Sequence, residues 1–266
     1  HLARHTVDFY NFGFSIMFEP ALYKAEFKYT GIQQYVNFPM PEPLFERTSK
    51  MYPTYNTAIP DQFRIDQFIK EFNSKWMNGK EVMPPFSTVI IPNDHGADDR
   101  PEAGYPFRES YMADNDLAVG RIVEYLSHTP YWKNMLIVIT EDDAQNGVDH
   151  VDAHRSILMV ISPWVKRDYV GHQHYSFGSL FKTFWNILGM PYLNQYDAGA
   201  TDLSALFTTK PNYAPYNALD VDSIIFNPQK ALDPFDEKFN WKALKESPKI
   251  DNVEDMFRDS KEQDAN

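Results

Sequence analysis

The chain has no cysteine. Disulfide scaffolds, thiolate zinc sites and cysteine nucleophiles are therefore excluded. The compartment stays open on this count, because a cysteine-free chain suits the cytosol, a periplasm or the exterior. No stretch approaches the run of about 18 apolar residues that a membrane-crossing helix needs. Basic charge is also in deficit: 25 Lys and Arg against 37 Asp and Glu leave a formal net charge of −12. Such a surface repels phosphate backbones, so nucleic-acid binding is not expected. Anionic substrates remain open, since a bound metal reverses the sign locally. There is no internal repeat and no low-complexity tract. The first eighteen residues have neither the basic start nor the apolar stretch of a signal peptide. A start at His1 is what a processed precursor, or a piece of a longer protein, would show.

What is present is ordinary for a globular chain: 266 residues, 43% hydrophobic and 23% charged, enough for one large domain or two small ones. Residues 1–60 are rich in Phe, Tyr and Pro, with a short strand expected over 7–10 and an irregular stretch through Pro39-Met40-Pro41-Glu42-Pro43. They read as a cap or edge segment of an α/β domain covering 1–226. Regular structure is expected from Asp61, where Ile65, Phe68, Ile69, Phe72 and Trp76 recur every three or four residues, as on one helix face; Asn78-Gly79 is its stop. Residues 87–91 read as a buried strand halted by Pro92. A helix is expected over 109–126, strands over 135–140 and 157–161, and a helix over 179–188 ending at Gly189. Short, wholly apolar strands alternating with amphipathic helices predict a parallel sheet covered on both faces. Residues 227–266 are charged and proline-containing, and read as a carboxyl-terminal extension.

In such sheets ligands collect beyond the carboxyl ends of the strands. After the first apolar run stands Pro92-Asn93-Asp94-His95-Gly96; after the second stands Glu141-Asp142-Asp143, continuing to Asp149-His150-Val151-Asp152-Ala153-His154-Arg155. Asp and Asn are common turn formers and caps, and one Asp-His pair after a strand is plain polar-loop chemistry. Turn chemistry does not, however, call for Asp142, Asp143, Asp149, His150 and His154 in so short a span. So many carboxylates repel one another unless a cation neutralises them. Mixed carboxylate and imidazole donors suit zinc, manganese or iron, whereas an oxygen-only set favours calcium or magnesium. An EF-hand loop is excluded by spacing and by the strand-like flanks.

The stretch from Ile139-Thr140-Glu141-Asp142-Asp143 to Asp149-His150-Val151 resembles the phosphoesterase family that includes bacterial phospholipases C and some acid phosphatases, within the alkaline phosphatase superfamily. His154-Arg155 before the next strand is similar to the superfamily's late metal-binding histidine. Pro92-Asn93-Asp94-His95, with Asp114-Asn115-Asp116 and Gly120 on the following helix, resembles its middle metal-binding segment. Residues 170–183, with His172 and His174, and then Gln195-Tyr196-Asp197, resemble its closing segment. The likeness covers residues 85–207 and is nearest to the bacterial subgroup often fused to a β-propeller. It implies a three-layer α/β/α fold with a mostly parallel central sheet, here lacking its amino-terminal portion.

The same resemblance implies roles. Asp142 and Asp143 would hold one metal; Asp94, His95 and His154 would hold a second or contact the substrate. Zinc or manganese is expected first, with calcium or magnesium as alternatives. His150 would bind metal or protonate the leaving group, oriented by Asp149. Arg155 would contact a phosphate oxygen, the plainer role being a salt bridge to Asp152 or Asp149. His172 and His174 would reach the substrate. The superfamily's nucleophilic Ser or Thr precedes all of these, and Thr6, Ser15 and Thr30 lack its setting, so an upstream domain or a separate chain is expected to complete the site. The reaction implied is hydrolysis of a phosphate monoester, a phosphodiester or a phospholipid, in the periplasm or outside the cell. The alternative is a non-catalytic relative, a surface or binding protein that keeps the fold and its metal.

Overall fold

A computed structural model describes residues 1–13, 42–49, 51–142 and 155–235. They form a mixed α/β protein whose chain divides into two compact units. One draws on the described residues of Asp8–Ile122 and Ala218–Asn266, the other on His1–Val7 and Val123–Asn217.

In the larger unit Phe9–Phe12 (β1) and Phe86–Val89 (β2) run parallel, with Phe9 opposite Phe86 and Phe12 opposite Val89. A short helix, Glu42–Glu46 (α1), precedes the expected amphipathic helix, Asp61–Phe72 (α2). α2 continues as a π-helical turn over Asn73–Met77, which brings Trp76 edge-on to Phe72 at 5.0 Å. The aromatic stripe then packs on β1: Phe12 lies 4.7 Å from Phe68, and Tyr10 lies 5.4 Å from Trp76. Each such pair adds about 0.5–1.5 kcal/mol beyond the area it buries. Phe12 is fully buried, so Phe12→Ala would cost about 3–5 kcal/mol.

The helix expected over 109–126 forms as Ser110–Ser127 (α3). Tyr105 and Tyr111 stack at 4.3 Å and share an apolar cluster with Phe226 and Ala231. Those last two residues stand on either side of the boundary expected at 226. Beyond it, Phe235 lies 4.5 Å from Phe63 of α2. Gly104 permits this packing. Its φ is +89°, and a Cβ there would meet the Asn227 carbonyl oxygen at 2.5 Å, which excludes a side chain on both counts.

In the other unit Ile137–Thr140 (β3) and Leu158–Ile161 (β4) pair antiparallel, Ile137 opposite Ile161. Phe177–Leu188 (α4) opens with a capping box between Ser176 and Ser179 and ends at Gly189 in the left-handed region, at the residue the sequence marked. Gln195–Gly199 (α5) follows, capped by Asn194.

Two expectations change. The described strands make one parallel and one antiparallel pair, so β3 and β4 do not pair in the parallel sense expected of neighbouring strands here. β3 and β4 are also half-buried rather than enclosed, with Met159 41% exposed. An unbroken apolar run marks a strand but carries no direction. Direction comes from the pairing that tertiary structure selects, and antiparallel neighbours need no crossover helix.

Candidate functional site

β2 leads through Ile90 and Ile91 to Pro92, which has no N–H to extend a ladder. The next three residues, Asn93–His95, form a single 3-10 turn closed by the Gly96 amide on the Asn93 carbonyl. Asn93 is fully buried. Asp94 is half-buried and His95 exposed, with the His95 ring edge-on to Tyr55 at 5.4 Å. A carboxylate and an imidazole thus lie in the first turn after the strand, five and six residues past Val89.

Beneath the turn lies a polar hub that composition and spacing did not reveal. Pro60 precedes α2 and has no side-chain group to cap it. Asp114 of α3 supplies the missing acceptor, taking the first two α2 amides, Asp61 N at 2.9 Å and Gln62 N at 3.2 Å, where the helix dipole favours an anion. The same carboxylate accepts from Gln62 Nε2 at 2.9 Å, Asn93 Nδ2 at 2.6 Å and the Tyr105 hydroxyl at 2.7 Å. Asp61 accepts from Arg64 Nη1 at 2.9 Å, the Asn93 amide at 2.9 Å and Asn115 Nδ2 at 3.1 Å. Arg64 completes its donors on the carbonyls of Pro53, Thr54, Asn56 and Ile59, which uses the whole guanidinium fork.

Asp61, Arg64 and Asp114 are all fully buried, and among the described residues the guanidinium pairs with Asp61 alone. Burial pushes the Asp61 carboxyl up to about 7; Arg64 opposes the shift and Asp114 adds to it. Burial, with the Asp114 charge and hydrogen bond, also holds the Tyr105 hydroxyl well above its ordinary value.

This changes the reading of Asp114-Asn115-Asp116. These five donors to the Asp114 carboxylate all belong to the chain itself, so its oxygens are engaged in architecture. Asn115 donates to Asp61 and to the Ile91 carbonyl at 2.7 Å, and Asp116 is exposed. The signal that would have found the hub is on α2. Asp61 and Arg64 stand on the same i, i+3, i+4 face as Ile65 and Phe68, which is the buried face.

At the end of β3, Thr140 Oγ1 donates to the Ile157 carbonyl at 2.9 Å, joining the two strands where the acidic segment begins. Asp142 is exposed there, as is Arg155 where the described chain resumes. Asp143, Asp149, His150 and His154 lie outside the described residues. His172 and His174 are both exposed, in the segment before α4. Among the described residues no three His, Asp or Glu side chains gather as a metal cluster. Among the described residues, a half-buried carboxylate and an exposed imidazole at Asp94 and His95, and the exposed Asp142 carboxylate, are donor types that a divalent cation takes.

Asp197 anchors a second polar arrangement. Burial alone would raise its carboxyl. The amides of Leu193, Asn194 and Ala198 and the Trp185 indole outweigh that and hold it below the usual value, with the indole at 2.7 Å. No known family model matches the chain, and no curated protein matches it.

Proposed function

We propose that the chain is a metal-dependent hydrolase of phosphate esters, of the phosphoesterase type within the alkaline phosphatase superfamily and on its three-layer α/β/α fold. The observation that carries the proposal is the placement of the acidic and imidazole residues. Asp94 and His95 stand in the turn that β2 reaches through Ile90, Ile91 and Pro92, and Glu141-Asp142, opening the acidic segment, follow β3 directly. Strand ends are where such folds bind ligands.

Two ligand groups are assigned separately. Asp142 and Asp143 form one and Asp94 with His95 the other, while His154 binds metal or contacts the substrate. Zinc or manganese suits both. When bound, the ion lowers the pKa of an attacking hydroxyl and clamps the oxygens that attack and leave. His150 donates the proton to the leaving oxygen, a role its ordinary pKa near 6.5 permits at neutral pH. Asp149 orients His150. Arg155, His172 and His174 hold phosphate or substrate oxygens. The nucleophile, a Ser or Thr in this reading, is not assigned within the chain.

The test is metal content. The purified chain should retain zinc or manganese, and Asp142→Ala and Asp143→Ala should each reduce the bound metal at least tenfold. Metal content unchanged in both variants would remove the assignment. Hydrolysis of p-nitrophenyl phosphate and its diester then separates two outcomes. A second reading, binding without turnover, is favoured by Thr6, whose hydroxyl donates to the adjacent His5 carbonyl at 2.7 Å on an exposed turn, no setting for a nucleophile. Retained metal without hydrolysis of either ester would select that reading.

A further inference from the structure

We propose that Asn93, clamped by Asp61 and Asp114, is a positioning residue for the Asp94–His95 turn, setting the backbone from which a metal-binding carboxylate and imidazole project. The inference rests on the reading that Asp94 and His95 bind metal, and deepens it.

Asn93 is the buried member of a turn in which Asp94 is half-buried and His95 exposed. Its amide donates to Asp61 at 2.9 Å, and its Nδ2 donates to Asp114 at 2.6 Å and to the Ile59 carbonyl at 3.2 Å. Upstream, the Ile91 carbonyl is held by Asn115 at 2.7 Å, so the chain is fixed on both sides of Pro92. An isolated three-residue turn has little stiffness of its own. Here its entry and first residue are tied to α2 and α3, and Asp94 and His95 follow with no intervening flexible residue.

Stability alone does not account for this design. A buried Asp61–Arg64 ion pair is no better for stability than well-packed apolar residues of the same volume. Asn93 Oδ1 also has no hydrogen-bond partner among the described residues, an unfavourable state for a buried acceptor. A polar hub of this kind is suited to holding the turn above it in one geometry, as groups behind metal ligands commonly do.

The test uses the full chain and Mn²⁺ alone. Asn93→Ala should weaken Mn²⁺ binding about 10–100-fold by titration calorimetry. Phe235→Leu trims a contact of the same unit, on Phe63, and should leave Mn²⁺ affinity within twofold of wild type. A metal-free readout comes from the edge-on ring of Tyr55. The ring-current shift of the His95 ring protons should collapse in Asn93→Ala and persist in Phe235→Leu. Should Asn93→Ala fail to fold, Asp114→Asn carries the same test, because it keeps the shape and turns an acceptor into a donor facing Asn93 Nδ2.

Wild-type Mn²⁺ affinity and an unchanged His95 shift in the folded variant would overturn the proposal while leaving the ligand assignment standing. Unchanged Mn²⁺ binding in Asp94→Ala and in His95→Ala would overturn the assignment and the proposal together.

Discussion

The guanidinium of Arg64 meets the carboxylate of Asp61 at 2.9 Å with neither side chain exposed. Removing Arg64 strips the Asp61 carboxyl and four buried carbonyls of a donor each, and breaking a buried pair from one side typically costs about 3–5 kcal/mol. Arg64→Met should lower the unfolding free energy by that amount in urea titrations. Asp61→Asn combined with Arg64→Met should cost less than the sum of the single changes, because the pair is lost as a unit. Additive losses would show that the two groups are not coupled.

Asp61 also predicts an unusual pH dependence. Its folded pKa is raised to about 7, so between about pH 4 and 7 the folded chain holds a proton that the unfolded chain has released. This contribution is fully present below the unfolded pKa and is lost as pH rises through 7. Arg64 on the same helix, with Asp114 and Tyr105 facing it, sets the local charge. Stability should fall by up to about 1.4 kcal/mol per pH unit over that window. Asp61→Asn should flatten the slope; an equal slope in that variant would show that another group titrates.

Asp197 should behave in the opposite sense. Its pKa is lowered in the folded chain, so its contribution is present above the unfolded carboxyl value near 4 and is lost as pH falls through the folded one. Its oxygens accept the Leu193, Asn194 and Ala198 amides. Asp197→Asn should cost about 1–2 kcal/mol at neutral pH, the scale of a lost cap. The gap to wild type should narrow below about pH 4. A gap independent of pH would show that packing, not charge, holds the segment.

The helices were the readable part of this fold. α2 was legible because its aromatic residues fall on one face, and the end of α4 because Gly189 adopts the left-handed backbone that stops helices. β1 was harder. It runs over Phe9–Phe12 rather than 7–10, and its buried position at Asn11 is polar. That side chain is satisfied by Thr48 at 3.1 Å and by Thr88 at 2.7 Å, the second 77 residues away, and no local pattern encodes that match. The same holds for Asp114, whose principal partners lie on α2, 52 and 53 residues before it. Asp94, His95 and Asp142 were legible as strand-end residues because apolar runs announce where strands stop. The hub under Asn93 was not, because charged residues at inward positions look like surface until their partners are known.

The larger unit is discontinuous: the segment from 123 to 217 is synthesised between its two pieces. Phe226 and Ala231 complete the cluster around Tyr105 and Tyr111, and Phe235 covers Phe63. On a ribosome adding ~5–20 residues per second, those contacts arrive on the order of ten seconds after α3 has been made. During that interval Phe63, Tyr105 and Tyr111 lack the apolar cover that the finished chain provides. This makes the nascent chain, more than the completed one, the form most dependent on chaperones.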